Sequence, residues 1–270
     1  MRTNGAGSLE AKETSTNPDF SALVVRLLHE ANITNKDKVG VILSGSFPSL
    51  SISVLAALQT VGVDVLLMSS LGASTYGANQ PVATWLDMES ALNRQGGLRF
   101  HSSLVSIGAG EDNGIGLSNE GLSLIHQAAY RNKVDLYLPA SLKESIDKRV
   151  DILKKSKISL LINVGGNETA IGNCQHSLSI PNGLNSKING CNDENRGLII
   201  RMNQLNVPFI NMLDIKDLAG KYGIAFSPGK SYAKATNLYD QTKTNKPILV
   251  FILAIGLIPV YFLRRRISVN

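Results

Sequence analysis

Four stretches of this 270-residue chain gather serine, glycine, asparagine and carboxylates in settings where polar chemistry is feasible. The first is Ser44-Gly45-Ser46-Phe47-Pro48. Gly45 permits a tight turn, and the Ser44 and Ser46 hydroxyls stand where a helix opening at Pro48 leaves backbone N–H groups unsatisfied, a setting for a carboxylate or phosphate. A nucleophile elbow needs glycines two residues either side of its serine, a spacing absent here. Capping of the helix by Ser46 is the simpler alternative.

The second stretch, residues 69–79 (SSLGASTYGAN), is long for a connection in an α/β unit, and Ser69, Ser70 and Asn79 are its candidate ligand contacts. It leads into Thr84-Trp85-Leu86-Asp87-Met88-Glu89. Asp87 and Glu89 lie two apart and point to different sides of a helix, so they read as solvated helix charges rather than an acid/base pair, with Trp85 in the core. The third stretch, residues 108–116 (GAGEDNGIG), imitates a dinucleotide-binding glycine pattern, but Glu111 and Asp112 would face a pyrophosphate and the spacing is wrong. It reads as a flexible turn; a cation or a basic group facing the two acids is the alternative. The fourth, residues 163–169 (NVGGNET), offers close backbone approach at Gly165 and Gly166 and polar handles at Asn163, Asn167 and Glu168.

Other chemistries lack their residues. His29, His101, His126 and His176 form no HxxH or HExxH spacing, so neither a zinc protease nor a Ser/His/Asp triad can be assembled. Cys174 and Cys191 have no CxxC spacing, which disfavours a metal site and leaves either a disulfide, requiring an oxidising compartment, or two free thiols. No residue is assigned to a metal, and no cofactor is identified. The formal charge is +6, but three of the 27 basic residues are Arg264, Arg265 and Arg266, and only 6% of residues are aromatic. Without a basic stripe interleaved with aromatics, nucleic acid is not an expected partner.

Something must hold these loops. Hydrophobic residues make up 43% of the chain and charged residues 18%, enough for a globular core and incompatible with wholesale disorder. Short apolar runs (residues 39–43, 63–68, 104–107, 134–138, 158–164 and 207–212) alternate with segments of helical spacing. The helices are expected to open at Pro18, Pro48, Pro81, Ser118, Ser141, Arg196 and Asp214, with Ser141 and Glu144 as a capping box. Strands alternating with helices predict an α/β, doubly wound, mostly parallel sheet with helices on both faces, and the four stretches then follow strand ends, where such folds bind ligands.

Around this domain (residues 18–228) the expected organisation is a polar N-terminal arm over 1–17, a linker over 229–246, a C-terminal transmembrane helix over 247–263 and a basic tail over 264–270. Residues 247–263 (PILVFILAIGLIPVYFL) carry no charge, are flanked by Lys246 and Arg264, and place Tyr261 at an interface. The N-terminal twenty residues contain no apolar stretch of the signal-peptide kind.

Taken in order, residues 7–18 (GSLEAKETSTNP), 44–48, 69–74 with Tyr76-Gly77-Ala78-Asn79, 84–89, Glu144-Ser145-Ile146-Asp147-Lys148-Arg149 and 163–166 resemble the bacterial poly-gamma-glutamate system protein family, over roughly residues 7–228. The resemblance implies a role in the synthesis and export of an anionic polymer, with no catalytic residue to carry over. It implies as partners the poly-γ-glutamate synthase and export membrane components, the polymer or a glutamyl precursor, and the lipid bilayer. Similar proteins carry an upstream membrane segment, which implies a truncated or shortened N-terminus here, an extracytoplasmic body and a cytoplasmic arginine tail. The expected function is therefore a membrane-anchored accessory protein binding carboxylate-rich material at the strand-end loops. The alternatives are a hydrolase or transferase of γ-glutamyl or amide bonds, with Ser44, Ser46, Lys12 and Glu168 as first suspects, and a non-catalytic structural partner of the synthase.

Overall fold

A computed structural model describes residues 7–226 other than His176 and Asn195. After a short helix α1 (Leu9–Thr14) come α2 (Asp19–Glu30), β1 (Lys38–Ser44), α3 (Pro48–Val61) and β2 (Asp64–Ser70). A small hairpin of β3 (Asn79–Gln80) and β4 (Ala83–Thr84) precedes α4 (Trp85–Arg94), β5 (Ser102–Ser106), α5 (Asn119–Arg131) and β6 (Leu136–Tyr137). Then follow α6 (Leu142–Lys155), β7 (Leu160–Val164), α7 (Glu168–Ile171), β8 (Gly183–Asn185), α8 (Leu198–Gln204), β9 (Phe209–Met212) and α9 (Ile215–Tyr222).

Seven strands form one sheet in the order β6-β5-β2-β1-β7-β9-β8. All neighbours are parallel except β8, which runs antiparallel to β9 at one edge. The chain builds outward from β1 through β2, β5 and β6, then crosses back to place β7 on the other side of β1. That reversal makes the β1/β7 junction a topological switch point, where the first turns of flanking helices splay apart and leave a crevice.

Alternation along the strands explains why both faces are covered. In β1, Val41 and Leu43 join a core with Phe20, Leu23, Leu27, Leu50, Val54 and Leu58 of α2 and α3. Ile42 points the other way, into a core with Ile146, Val150 and Leu153 of α6 and Leu198 and Ile199 of α8. The doubly wound, mostly parallel arrangement expected from the pattern is present. Cys174 and Cys191 form a disulfide across 17 residues of sequence, clamping the segment that carries β8.

Three local expectations need correction. Residues 9–14 are a helix rather than an extended arm: Ser8 opens it, and Lys12 and Thr14 are buried. Pro81 does not begin a helix; it sits in the β3–β4 hairpin and leaves Val82 exposed, while α4 starts after Thr84. The capping box belongs there, with Thr84 and Asp87 bonded reciprocally. At Ser141 only half the box forms, because the Glu144 carboxylate accepts from the Ala140 N–H instead. Among the described residues no helix is long and apolar enough to cross a membrane. The linker, the span expected over 247–263 and the basic tail lie outside them.

Candidate functional site

The site begins as a polar seam inside the sheet. On the face shared by Ile42 and Met68, the carboxyl ends of adjacent strands carry Ser44, Ser70 and Ser106, and the parallel registers pair Ser44 with Ser70 and Ser70 with Ser106. One step back, Asn163 of β7 pairs with Asn211 of β9. All five residues are buried. Buried polar groups demand partners, so the loops that supply them are fixed by that need.

Asn167 supplies one partner. Its Nδ2 donates to Ser70 Oγ at 2.7 Å, and its Oδ1 accepts from Thr169 N and Thr169 Oγ1, which caps α7 and holds the loop after β7 above β2. Asn163 donates from Nδ2 to the Gly165 carbonyl at 3.0 Å and to Asn211 Oδ1 at 2.9 Å; its own Oδ1 has no partner among the described residues.

At the β5 end the seam finishes in a charge pair. Arg149 of α6 lies 2.9 Å from Asp112 in the loop after β5, with both side chains essentially inaccessible. Asp112 Oδ1 accepts from Ser106 Oγ at 2.7 Å and Oδ2 from Ser145 Oγ at 2.6 Å, while Arg149 Nη2 donates to Ser106 Oγ at 2.8 Å. Burial pulls the guanidinium below its ordinary value, with Asp112 and Tyr137 opposing that pull. Ala109, Glu111 and Asp112 all adopt left-handed φ values, between +53° and +62°. Such a run is unfavourable for residues with a Cβ and persists only when anchored, here by the Asp112 pair and by Glu168 Oε2, which accepts from the Glu111 N–H at 2.8 Å.

These anchors close a cavity of about 280 Å³ over the switch point. Ser44 and Ser46 line it from the β1 end, Ser70 and Gly72 from β2, Ala109, Gly110, Ile115 and Gly116 from β5, and Gly166, Asn167 and Glu168 from β7. All four stretches singled out by sequence converge here. The walls are hydroxyls, amides and glycine backbone, with the Glu168 carboxylate the single formal charge among the lining side chains.

Of the eleven sequence-selected residues, Ser44, Ser46, Ser70, Gly166, Asn167 and Glu168 line the cavity. Gly45 lies behind it, its N–H bonded to the Ser70 carbonyl. Gly165, at φ +88°, forms the turn over Ser44 Oγ, and Asn163 braces that turn from beneath. Asn79 points back into its own loop, donating to the Ser74 carbonyl. Ser69 is on the opposite face, where its hydroxyl donates to Ser102 Oγ.

Two readings of charged residues change as well. Glu89 is not solvated: it is buried, accepting from Trp85 Nε1 at 3.0 Å, Ser102 N at 2.9 Å and Ser102 Oγ at 2.6 Å. Asp87 is tied to Arg131, Asn132 and Thr84. Ser46 does not cap α3, whose N-cap position is Phe47 and has no side-chain bond; Ser46 Oγ instead accepts from Ser74 N at 3.1 Å. Lys12 stands behind this loop, donating to the Ser46 carbonyl and to Ser74 Oγ.

The alternative offered by the sequence, a basic group facing the acids of residues 108–116, holds for Asp112; its partner Arg149 was not identified, although a signal existed. Helical spacing puts Arg149 on the same face of α6 as Leu142, Ile146, Val150 and Leu153, an arginine on a core face, which requires a buried acid. Comparison of the chain with known protein families, curated proteins and solved structures returned no match.

Proposed function

We propose that this chain is an accessory binding component of poly-γ-glutamate production or export, whose switch-point cavity takes a carboxylate-bearing glutamyl group, either a polymer end or a precursor. The observation that supports this reading most is the meeting of four Ser/Gly/Asn loops in one cavity beside the uncapped start of α3. A carboxylate seated there accepts from the cavity hydroxyls, and the positive end of the fourteen-residue α3, which begins two residues beyond Ser46, favours its charge with no basic side chain needed. Glu168 at the opposite wall suits the ammonium of a terminal glutamyl residue. A cavity of this size holds a chain end rather than a passing polymer.

The chemistry of the cavity serines favours binding over catalysis. Ser46 Oγ is engaged by a backbone N–H, Ser44 Oγ faces the Val164 carbonyl at 3.4 Å, and Glu168 already accepts from Glu111 N. The Cys174–Cys191 bridge supports an extracytoplasmic body, since disulfides persist in oxidising compartments. The uncharged run over 247–263 supports attachment to the membrane beside the synthase and export components.

Calorimetric titration of the full chain with γ-linked glutamate oligomers tests the reading. Saturable binding that weakens about tenfold in Ser46→Ala, roughly the worth of one hydrogen bond to a charged group, is expected. Absence of binding to oligomers and to free glutamate at millimolar concentration would sink it.

A further inference from the structure

We propose that Ser74 and Lys12 form a nucleophile–base pair that cleaves an amide or ester carbonyl through an acyl-serine intermediate, an activity separate from ligand binding in the cavity. Lys12 on α1 places Nζ 3.0 Å from Ser74 Oγ, within the range of a working nucleophile and its base. Lys12 is only 7% exposed, and among the described residues no carboxylate lies within ion-pair distance of it. A buried lysine without an acid is costly as an ammonium, and burial lowers its pKa to about 8. Enough free amine then exists near neutrality to accept a proton.

The surroundings match what each state of the amine requires. Nζ donates to the Ser46 carbonyl and to Ser74 Oγ; on losing a proton the amine keeps the Ser46 bond and is free to turn its lone pair to the Ser74 hydroxyl. Once protonated, the ammonium meets the Phe47 ring face, 3.7 Å away. Ser74 itself is held at both ends of its peptide unit: its N–H donates to Ser46 Oγ at 3.1 Å, and its carbonyl accepts from Asn79 Nδ2 at 3.0 Å and from Gly77 N at 3.0 Å. The next two N–H groups, of Thr75 and Tyr76, have no hydrogen-bond partner among the described residues, and Tyr76 sits at φ +62°. Free successive amides in such a turn make a concavity for an oxyanion.

Ser74 Oγ attacks the carbonyl carbon while its proton passes to Lys12 Nζ, and the negative charge on the carbonyl oxygen falls to the Thr75 and Tyr76 amides. The C–N or C–O bond then breaks, and the leaving amine or alcohol takes the proton back from Lys12. Water adds to the acyl-serine with Lys12 again as base, releasing the carboxylic acid and restoring Ser74.

The test exposes the full chain to a fluorophosphonate and to p-nitrophenyl acetate across pH 6 to 10, with peptide mapping by mass spectrometry. Expected are one adduct on Ser74, a labelling rate that rises through about pH 8, no adduct there in Ser74→Ala, and about a hundredfold slower labelling in Lys12→Met, the usual worth of a general base. Circular dichroism checks that the variants fold; should Lys12→Met fail to fold, the pH profile of the unaltered chain decides. No adduct on Ser74 in the folded chain, or a rate indifferent to pH or to Lys12→Met, overturns the proposal.

Discussion

Arg149 and Asp112 meet 2.9 Å apart inside the molecule, one on α6 and the other on the loop after β5, and neither side chain reaches solvent. Their pairing joins the helix layer on one face of the sheet to a wall of the cavity. The serines at 106 and 145 share the pair's hydrogen bonds, so four residues act as one unit.

Breaking that unit leaves a buried charge alone. Arg149→Met therefore destabilises the chain by about 3–5 kcal/mol, whereas Arg149→Met combined with Asp112→Asn, which removes the second charge and keeps a residue tolerant of the left-handed φ at 112, recovers a large part of the loss. Urea unfolding of the single and double variants measures the difference; equal losses in both would contradict the account.

The Asp87 cluster sets a pH dependence. Burial works to raise the Asp87 carboxyl, but hydrogen bonds from Arg131, Asn132 and Thr84 outweigh it and hold the group well below the usual carboxylate range. A depressed folded-state pKa contributes stability that is complete above the unfolded value of about 3.9 and drains as pH falls from there toward the folded value. Arg131→Gln removes about 1 kcal/mol near neutrality and flattens the acid limb of stability. Urea midpoints between pH 5 and 2 for the two proteins report it, and parallel curves would refute it.

Gly165 supports the cavity floor by having no side chain. At φ +88° a Cβ there would lie 2.4 Å from Ser44 Oγ. Gly165→Ala loses about 1–2 kcal/mol through the left-handed backbone alone, and displaces Ser44 besides. Adding Ser44→Gly removes the clash and leaves the backbone part, so the double variant is expected to be the more stable of the two by thermal melting.

Legibility varied with how local each cause was. Residues 158–164 read as a buried strand, and Leu160–Val164 form one beside the central strand β1, because a short continuous run of apolar residues suits a strand covered on both faces. Pro81 misled because proline suits both a first helical turn and a hairpin, and the reciprocal Thr84–Asp87 bonds decide for a start at Trp85. Ser69 and Ser70 are neighbours of the same type, yet alternation sends Ser70 to the cavity and Ser69 to the Glu89 cluster on the other face. No composition rule separates them without the strand's orientation in the sheet.

The order of apolar and polar residues by itself determined the alternating strands and helices, and with them the placement of serine, glycine and asparagine loops at strand ends. Tertiary structure alone decided that β7 returns beside β1, and hence that four separate loops enclose one cavity. It also decided the pairings across distance: Lys12 with Ser74, 62 residues apart, and Ser145 with Asp112, 33 apart. Local periodicity records which face of an element is buried, whereas strand order and register arise from the packing of whole layers, which no short window of sequence contains.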